Sequence, residues 1–199
     1  MSQISRRTQF IPPHGGYRKL RSFQCAQKAY DLTVQFCDRY VDKFSRTRDQ
    51  MVQAARSGVQ NIAEGSMASA TSRRTEIKLT SVARSSLEEL LLDYEDFLRQ
   101  RGLRVWDKES KEAVAVRAQL RGDSSDASDA SDLSDGSCRA SFPDWSDPSG
   151  ETPANGIICL IHQASYLLGR QIRYLGQRFL DQGGFTESMY RARRESWKK

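Results

Sequence analysis

Apolar residues recur along this chain at three- and four-residue spacing in four long stretches, and mostly polar intervals separate them. That period marks amphipathic helices rather than strands. The first stretch predicts a helix from about Leu20 to Phe44, with Phe23, Tyr30, Val34, Cys37, Val41 and Phe44 as its apolar stripe. The second predicts a helix from about Arg48 to Glu64, started by the capping-box spacing of Thr47 and Gln50. Its stripe of Met51, Ala54, Ala55, Gly58 and Ile62 is narrow and built of small side chains, which let a neighbouring helix approach closely. Gly65 follows as the expected helix stop.

The third helix is expected from about Thr71 to Arg101, closed by Gly102. Thr80, Ala83, Leu87, Leu90, Tyr94 and Phe97 step by threes and fours, a coiled-coil-like seam that Leu91 and Leu98 widen beyond one partner. Residues 108–120 suit a short amphipathic helix. The last long helix is expected from about Gly156 to Asp181, stopped by Gly183 and Gly184. Ile157, Ile161, Ala164, Leu168, Leu175 and Phe179 form its seam, with Leu160, Leu167 and Ile172 beside it.

Short turns join the first three helices, so an all-α, antiparallel four-helix bundle is the natural arrangement. Residues 1–18, with paired prolines and glycines, read as a flexible arm. Residues 122–155 read as an acidic disordered insertion: their Ser-Asp-Ala repeat offers too little apolar surface to offset the entropy of ordering. The domain plan is then 19–121 for three helices plus the short one, 156–183 for the fourth, and 184–199 for a basic tail.

Charge sharpens this picture. The net +6 hides an asymmetry: +8 over residues 1–121, −7 over 122–156 and +5 over 157–199. The helical parts are basic enough to attract polyanions. The acidic insertion reads first as a passive surface segment and second as an electrostatic mask over them. No apolar run approaches the ~20 residues of a membrane span, and the N-terminus has no apolar signal-like core. Of four cysteines, Cys25, Cys37 and Cys159 fall inside helical patterns and read as small core residues. A reducing cytoplasm fits them.

The stretch from Gln50 to Ser66, followed by a Ser/Thr-rich turn and residues 79–98, resembles a family of four-helix proteins known as 23S rRNA-intervening-sequence proteins. Ala54, Ala55, Ser57, Asn61, Ile62, Ala63, Glu64 and Gly65 match one family motif; Ser86, Leu87, Glu89 and Leu90 match another. The chain looks most like a subgroup of four-helix-bundle "suffix" proteins. It is also similar in fold and basic charge to the accessory variability determinants of diversity-generating retroelements. The resemblance implies a homopentameric barrel of four-helix protomers. For the retroelement branch it implies binding to a reverse transcriptase and to nucleic acid. The acidic insertion and the extensions at both ends depart from the family pattern.

Candidate chemistry is sparse. Ser57, Asn61 and Glu64 suggest either a polar site at the end of the second helix or structural bonds to helix termini and a neighbouring subunit; the structural reading is favoured. Glu88, Glu89, Asp93, Glu95 and Asp96 are dense enough to suggest a metal. Di-iron bundles use Glu-x-x-His, and this helix has no histidine, so a solvated acidic face or intersubunit salt bridges are favoured. Two histidines, His14 and His162, make no Ser/His/Asp set, and no phosphate-cradling glycine loop is present. No catalytic residue, metal or cofactor is therefore expected. Arg56, Arg73, Arg74, Lys78, Arg84, Arg170, Arg173 and Arg178 are the candidate nucleic-acid contacts, with Arg191, Arg193, Arg194, Lys198 and Lys199 on the tail. Phosphate contacts carry no base code, so such binding would be largely nonspecific. The expected function is a non-enzymatic, basic, oligomeric scaffold for nucleic acid. The alternative is an interaction scaffold for protein alone.

Overall fold

The computed structural model describes residues 14–121 and 145–197. The predicted N-terminal arm, apart from its last residues, and residues 122–144 of the expected acidic insertion lie outside them, whereas 145–155 of that insertion are described and lead into a helix. The described residues are all-α and contain no strand. After a single 3₁₀ turn at Tyr17–Lys19, the helices are α1 (Arg21–Tyr40), α2 (Arg46–Ala68), α3 (Arg73–Gln100), α4 (Lys111–Arg121), α5 (Glu151–Gln182) and α6 (Phe185–Ser196).

α3 follows its sequence pattern closely. Ser72 caps its start, its Oγ accepting from the Thr75 amide at 3.2 Å. Every residue of the expected seam is buried, as are Leu91 and Leu98. Each buried Leu or Phe among them contributes about 1.5–3 kcal/mol relative to an exposed position. The seam is wide because α3 packs on both α2 and α5, while α1 packs on the same two helices from the opposite side. End-to-end contacts give the directions. Arg48 pairs with Asp38, Ser57 meets Ser86, Arg73 reaches Gly183, and Ser22 bonds Gln171. Each neighbour therefore runs antiparallel to the next. Tyr94 reaches across the centre from α3 to α1, donating to Thr33 Oγ1 at 3.1 Å, so this buried hydroxyl is satisfied.

α1 departs from the sequence expectation in register and length. Of the expected stripe, Phe23 and Cys37 are buried, but the rest of the buried face is Ser22, Cys25, Ala26, Ala29, Leu32, Thr33 and Phe36, and Tyr30 and Val34 are only half-buried. The helix ends at Tyr40, and Phe44, expected on the stripe, is 98% exposed in the turn. The local polar chemistry decides this. Asp42 accepts from the Phe44 amide at 2.7 Å, and Ser45 Oγ accepts from the Thr47 amide at 3.2 Å. Ser45, not Thr47, is thus the cap of α2.

Gly65 does not stop α2, which runs on to Ala68. Its role is close approach: a Cβ there would sit 3.3 Å from the Glu76 carbonyl oxygen and from Leu79 Cβ. Gly58 does the same beneath Leu87, where a Cβ would meet Cδ2 at 2.9 Å. The small-residue stripe is therefore the α2–α3 contact. Ser57 and Asn61 belong to it too. Ser57 Oγ pairs with Ser86 Oγ at 3.0 Å, and Asn61 Nδ2 donates to Ser57 O and Oγ at 2.9 and 3.1 Å. These bonds lie in mid-helix rather than at a terminus, while Glu64 is exposed.

α5 starts earlier than expected, at Glu151 rather than Gly156. Pro153 occupies the first turn, where a missing N–H costs little. Asp147 organises that start by accepting from the Ser149 and Thr152 amides at 2.9 and 2.8 Å. Buried Asn155 then ties the segment after α3 to α5, donating to Arg104 O and accepting from the Trp106 amide, both at 2.8 Å. α4 packs on α5, and Arg21 of α1 donates to Leu120 O at 2.8 Å. Cys25, Cys37 and Cys159 are buried, as expected of core residues; burial pushes the Cys37 thiol up to about 12. Cys138 lies outside the described residues. No helix among the described residues is long and apolar enough to cross a membrane.

Candidate nucleic-acid interface

α5 is four residues longer than α3 and twelve longer than α1. No residue from Arg170 to Gln182 is buried, although Ile172, Leu175 and Phe179 of the expected seam are partly covered. Antiparallel packing brings this sparsely covered half of α5 beside the first half of α3. Both halves are basic. Arg74 and Lys78 lie one turn apart and exposed on α3; Arg170 and Arg173 are exposed on α5.

Two arginines meet at Gly169. Arg84 Nη1 of α3 lies 3.7 Å from the point a Cβ on Gly169 would occupy, and Arg173 Nη1 of α5 lies 3.8 Å from it. Both guanidinium groups thus rest over one patch of bare helix backbone. Their mutual repulsion in a water-like setting is about 1 kcal/mol or less, which the fold tolerates. The described ion pairs are Arg48–Asp38, Arg99–Asp96 and Arg104–Glu112. None of them engages Arg56, Arg74, Lys78, Arg84, Arg170 or Arg173. All six are exposed, and none forms an ion pair with a carboxylate among the described residues.

Arg73 and Arg178 behave differently. Arg73 donates to Gly183 O at 2.9 Å, to Arg178 O at 3.3 Å and to Gln182 Oε1 at 2.9 Å. It sits at the start of α3 but satisfies carbonyls at the end of α5, where a cation also suits the helix dipole. Arg178 donates to Gln182 Oε1 at 3.2 Å. Burial raises the Glu76 carboxyl above its ordinary value, and Arg178 and Arg73 oppose that rise. These two arginines hold the α3–α5 junction together. Arg56 is exposed on α2, whose packing neighbours are α1 and α3, and it stands apart from the other candidates.

The basic region continues into α6. Arg191 folds back to donate to Gln182 O at 2.7 Å, and Arg193 lies over the Trp197 ring, 5.5 Å from its centroid. Lys198 and Lys199 lie outside the described residues. The other half of α3 has the opposite sign. Burial raises the Asp93 carboxyl, and Glu89 and Asp96 raise it further. Among the described residues no group of three or more His, Cys, Asp or Glu is placed to hold a metal. An open groove of about 400 Å³ between α2 and α3 is lined by Arg46, Asp49, Gln53, Ser57 and Glu89, a mixed set with no nucleophile–base pair. α3 thus carries most of its cations in its first half and most of its carboxylates in its second.

Sequence reasoning passed over two residues here. Tyr166 and Tyr174 are 59% and 55% exposed on α5, on the side away from its buried seam. The signal was present: they share the spacing of Arg170 and Arg173 and avoid the positions of Ile161, Ala164 and Leu168. No protein-family model, no curated protein and no solved structure matches this chain.

Proposed function

We propose that this protein is a non-enzymatic scaffold that binds nucleic acid through the basic face shared by α3 and α5. The observation that carries the reading is the convergence of Arg84 and Arg173 over Gly169; Arg74 and Lys78 are exposed nearer the start of α3 and Arg170 on α5, and none of the five is in an ion pair among the described residues. Guanidinium groups in such a pair present several N–H donors to a phosphate's oxygens and offset its charge. Contacts of this kind read the backbone, so affinity is high at low salt and largely indifferent to sequence.

In this reading the helices form an antiparallel four-helix bundle, and copies of it close into a ring, with five the number that the family resemblance implies. Leu92, 56% exposed on the acidic second half of α3 and away from the basic half, supplies uncovered apolar surface for that association. A ring would repeat each basic face around its circumference and multiply weak phosphate contacts into avidity. The same resemblance makes a reverse transcriptase the first protein partner to test.

Binding of labelled RNA and DNA across a salt series tests the proposal. The expected result is tight binding at low salt and a linear fall of log affinity with log salt. Absence of binding at low salt overturns it and leaves a scaffold for protein alone. Light scattering with mass determination tests the ring: a multimer is expected, and a monomer at micromolar concentration contradicts it.

A further inference from the structure

Resting on that reading, we infer that the favoured ligand is a single strand, held by stacking on Tyr166 and Tyr174 while Arg170 and Arg173 take its phosphates. At 100° per residue, Tyr166, Arg170, Arg173, Tyr174 and Gln177 fall within roughly a third of the α5 circumference. The buried residues Ile161, Ala164 and Leu168 occupy the inner side. Both tyrosines are more than half exposed, and no hydrogen bond among those described engages either hydroxyl. An exposed aromatic side chain taken singly is ordinary. Two of them interleaved with two arginines, beside a third arginine from α3, make a repeating unit of ring and cation.

That unit matches the chemistry of a single strand. Base–aromatic stacking accepts any base, because every base has a π-face, and a basic track follows the backbone. The tyrosines stand eight residues apart, about 12 Å along the helix. This spacing leaves room for the arginines to reach phosphates between stacked bases. A duplex hides its base faces in its own stack, so it can use the arginines but not the rings. The surface is also convex and formed by one helix face, without a loop or ribbon to enter a groove. Sugar identity is not read by a stacking ring, so RNA and DNA strands share the site.

The test compares a strand of about 16 nucleotides of mixed sequence, as RNA and as DNA, with the corresponding duplex, by fluorescence anisotropy at one salt concentration. The variants are Tyr166→Ala with Tyr174→Ala, and Tyr166→Phe with Tyr174→Phe. Strands are expected to bind at least about tenfold more tightly than the duplex. The alanine pair is expected to lose about tenfold or more for strands, as stacking losses do elsewhere, while duplex affinity stays put and phenylalanine restores the strand. Equal affinity for strand and duplex, or an alanine pair that binds strands like the parent, overturns the inference while leaving the basic-face reading standing. No binding of any oligonucleotide overturns both. Because both rings are exposed, an unchanged thermal melt accompanies each variant.

Discussion

At the middle of α2, Gly58 lets Leu87 of α3 come so close that an added Cβ would meet its Cδ2 at 2.9 Å; near the end of α5, Gly176 has nothing within 4 Å of the same position. The two regions use similar residue types for opposite purposes. In the α2–α3 seam, small residues bring backbones together, and polar side chains turn inward, as Ser57 does toward Ser86. Along the last part of α5, apolar contact thins out and the polar side chains turn to solvent. A tight seam confers stability and little access. A thinly packed, basic extension confers access and little stability. The division follows from packing: dispersion and burial need neighbours on all sides, whereas phosphate recognition needs cations left free of internal partners.

Substitutions should separate the two regions sharply. Leu87→Ala removes a fully buried side chain from the seam and should cost about 2–5 kcal/mol. For a chain of this length that lowers the melting temperature by roughly 5–15 °C. Leu180→Ala on the extension, where the side chain is 77% exposed, should stay within about 0.5 kcal/mol. Equal effects in thermal melts would erase the distinction.

Glycine substitutions sharpen the contrast by giving it a sign. Gly58→Val forces a branched side chain into the Leu87 contact and should destabilise by about 1–3 kcal/mol. Gly176→Ala has open space and relieves an entropic penalty in a helix, so it should stabilise by about 0.5–1 kcal/mol. Denaturant midpoints moving in the same direction for both would contradict the packing argument.

Acid sensitivity should reside at the start of α5 rather than at its basic end. Burial pulls the Asp147 carboxyl upward, but hydrogen bonds from Ser149 and Thr152 outweigh it and hold the group below the ordinary carboxylate range. A carboxyl depressed on folding contributes stability that is present above its unfolded value near ~3.9 and is lost as pH falls toward the folded value. Asp147→Asn should therefore cost about 1 kcal/mol or less at neutral pH, given its exposure to solvent. It should also flatten the stability–pH curve below about pH 4. Urea melts from pH 7 downward measure both; an unchanged slope in acid would assign the effect elsewhere.

Much of the fold was legible where a residue's role follows from periodicity alone. The α3 seam was read residue by residue, because its partners lie on two sides and every apolar position is used. α1 was read about one residue out of register: Tyr30, Val34 and Val41 carry apolar character on its flank, while the face that packs also uses Ala26, Ala29 and Thr33, which hydropathy undervalues. Gly65 was misread because a glycine that ends a helix and one that admits a neighbouring backbone look alike until the neighbour is placed. The insertion expected to run to residue 155 hid the start of α5, because Pro153 lies within it and a first helical turn tolerates proline. In the candidate interface, charge counting found the basic residues but could not separate Arg73, which satisfies the carbonyls ending α5, from Arg84, which faces solvent across from Arg173. That distinction depends on the antiparallel pairing of two segments ~90–110 residues apart, and no local pattern encodes it.

In the function proposed above, the exposed cations of α3 and α5 bind nucleic acid while the α2–α3 seam holds the fold. The most direct test is the salt dependence of oligonucleotide affinity for the parent protein and for a variant combining Arg74→Gln, Lys78→Gln, Arg84→Gln and Arg173→Gln. The slope of log affinity against log salt should fall by about 3 for a single strand, close to 0.7 per lost phosphate contact. The melting temperature should stay nearly unchanged. A variant with the parent's slope and affinity would contradict the claim.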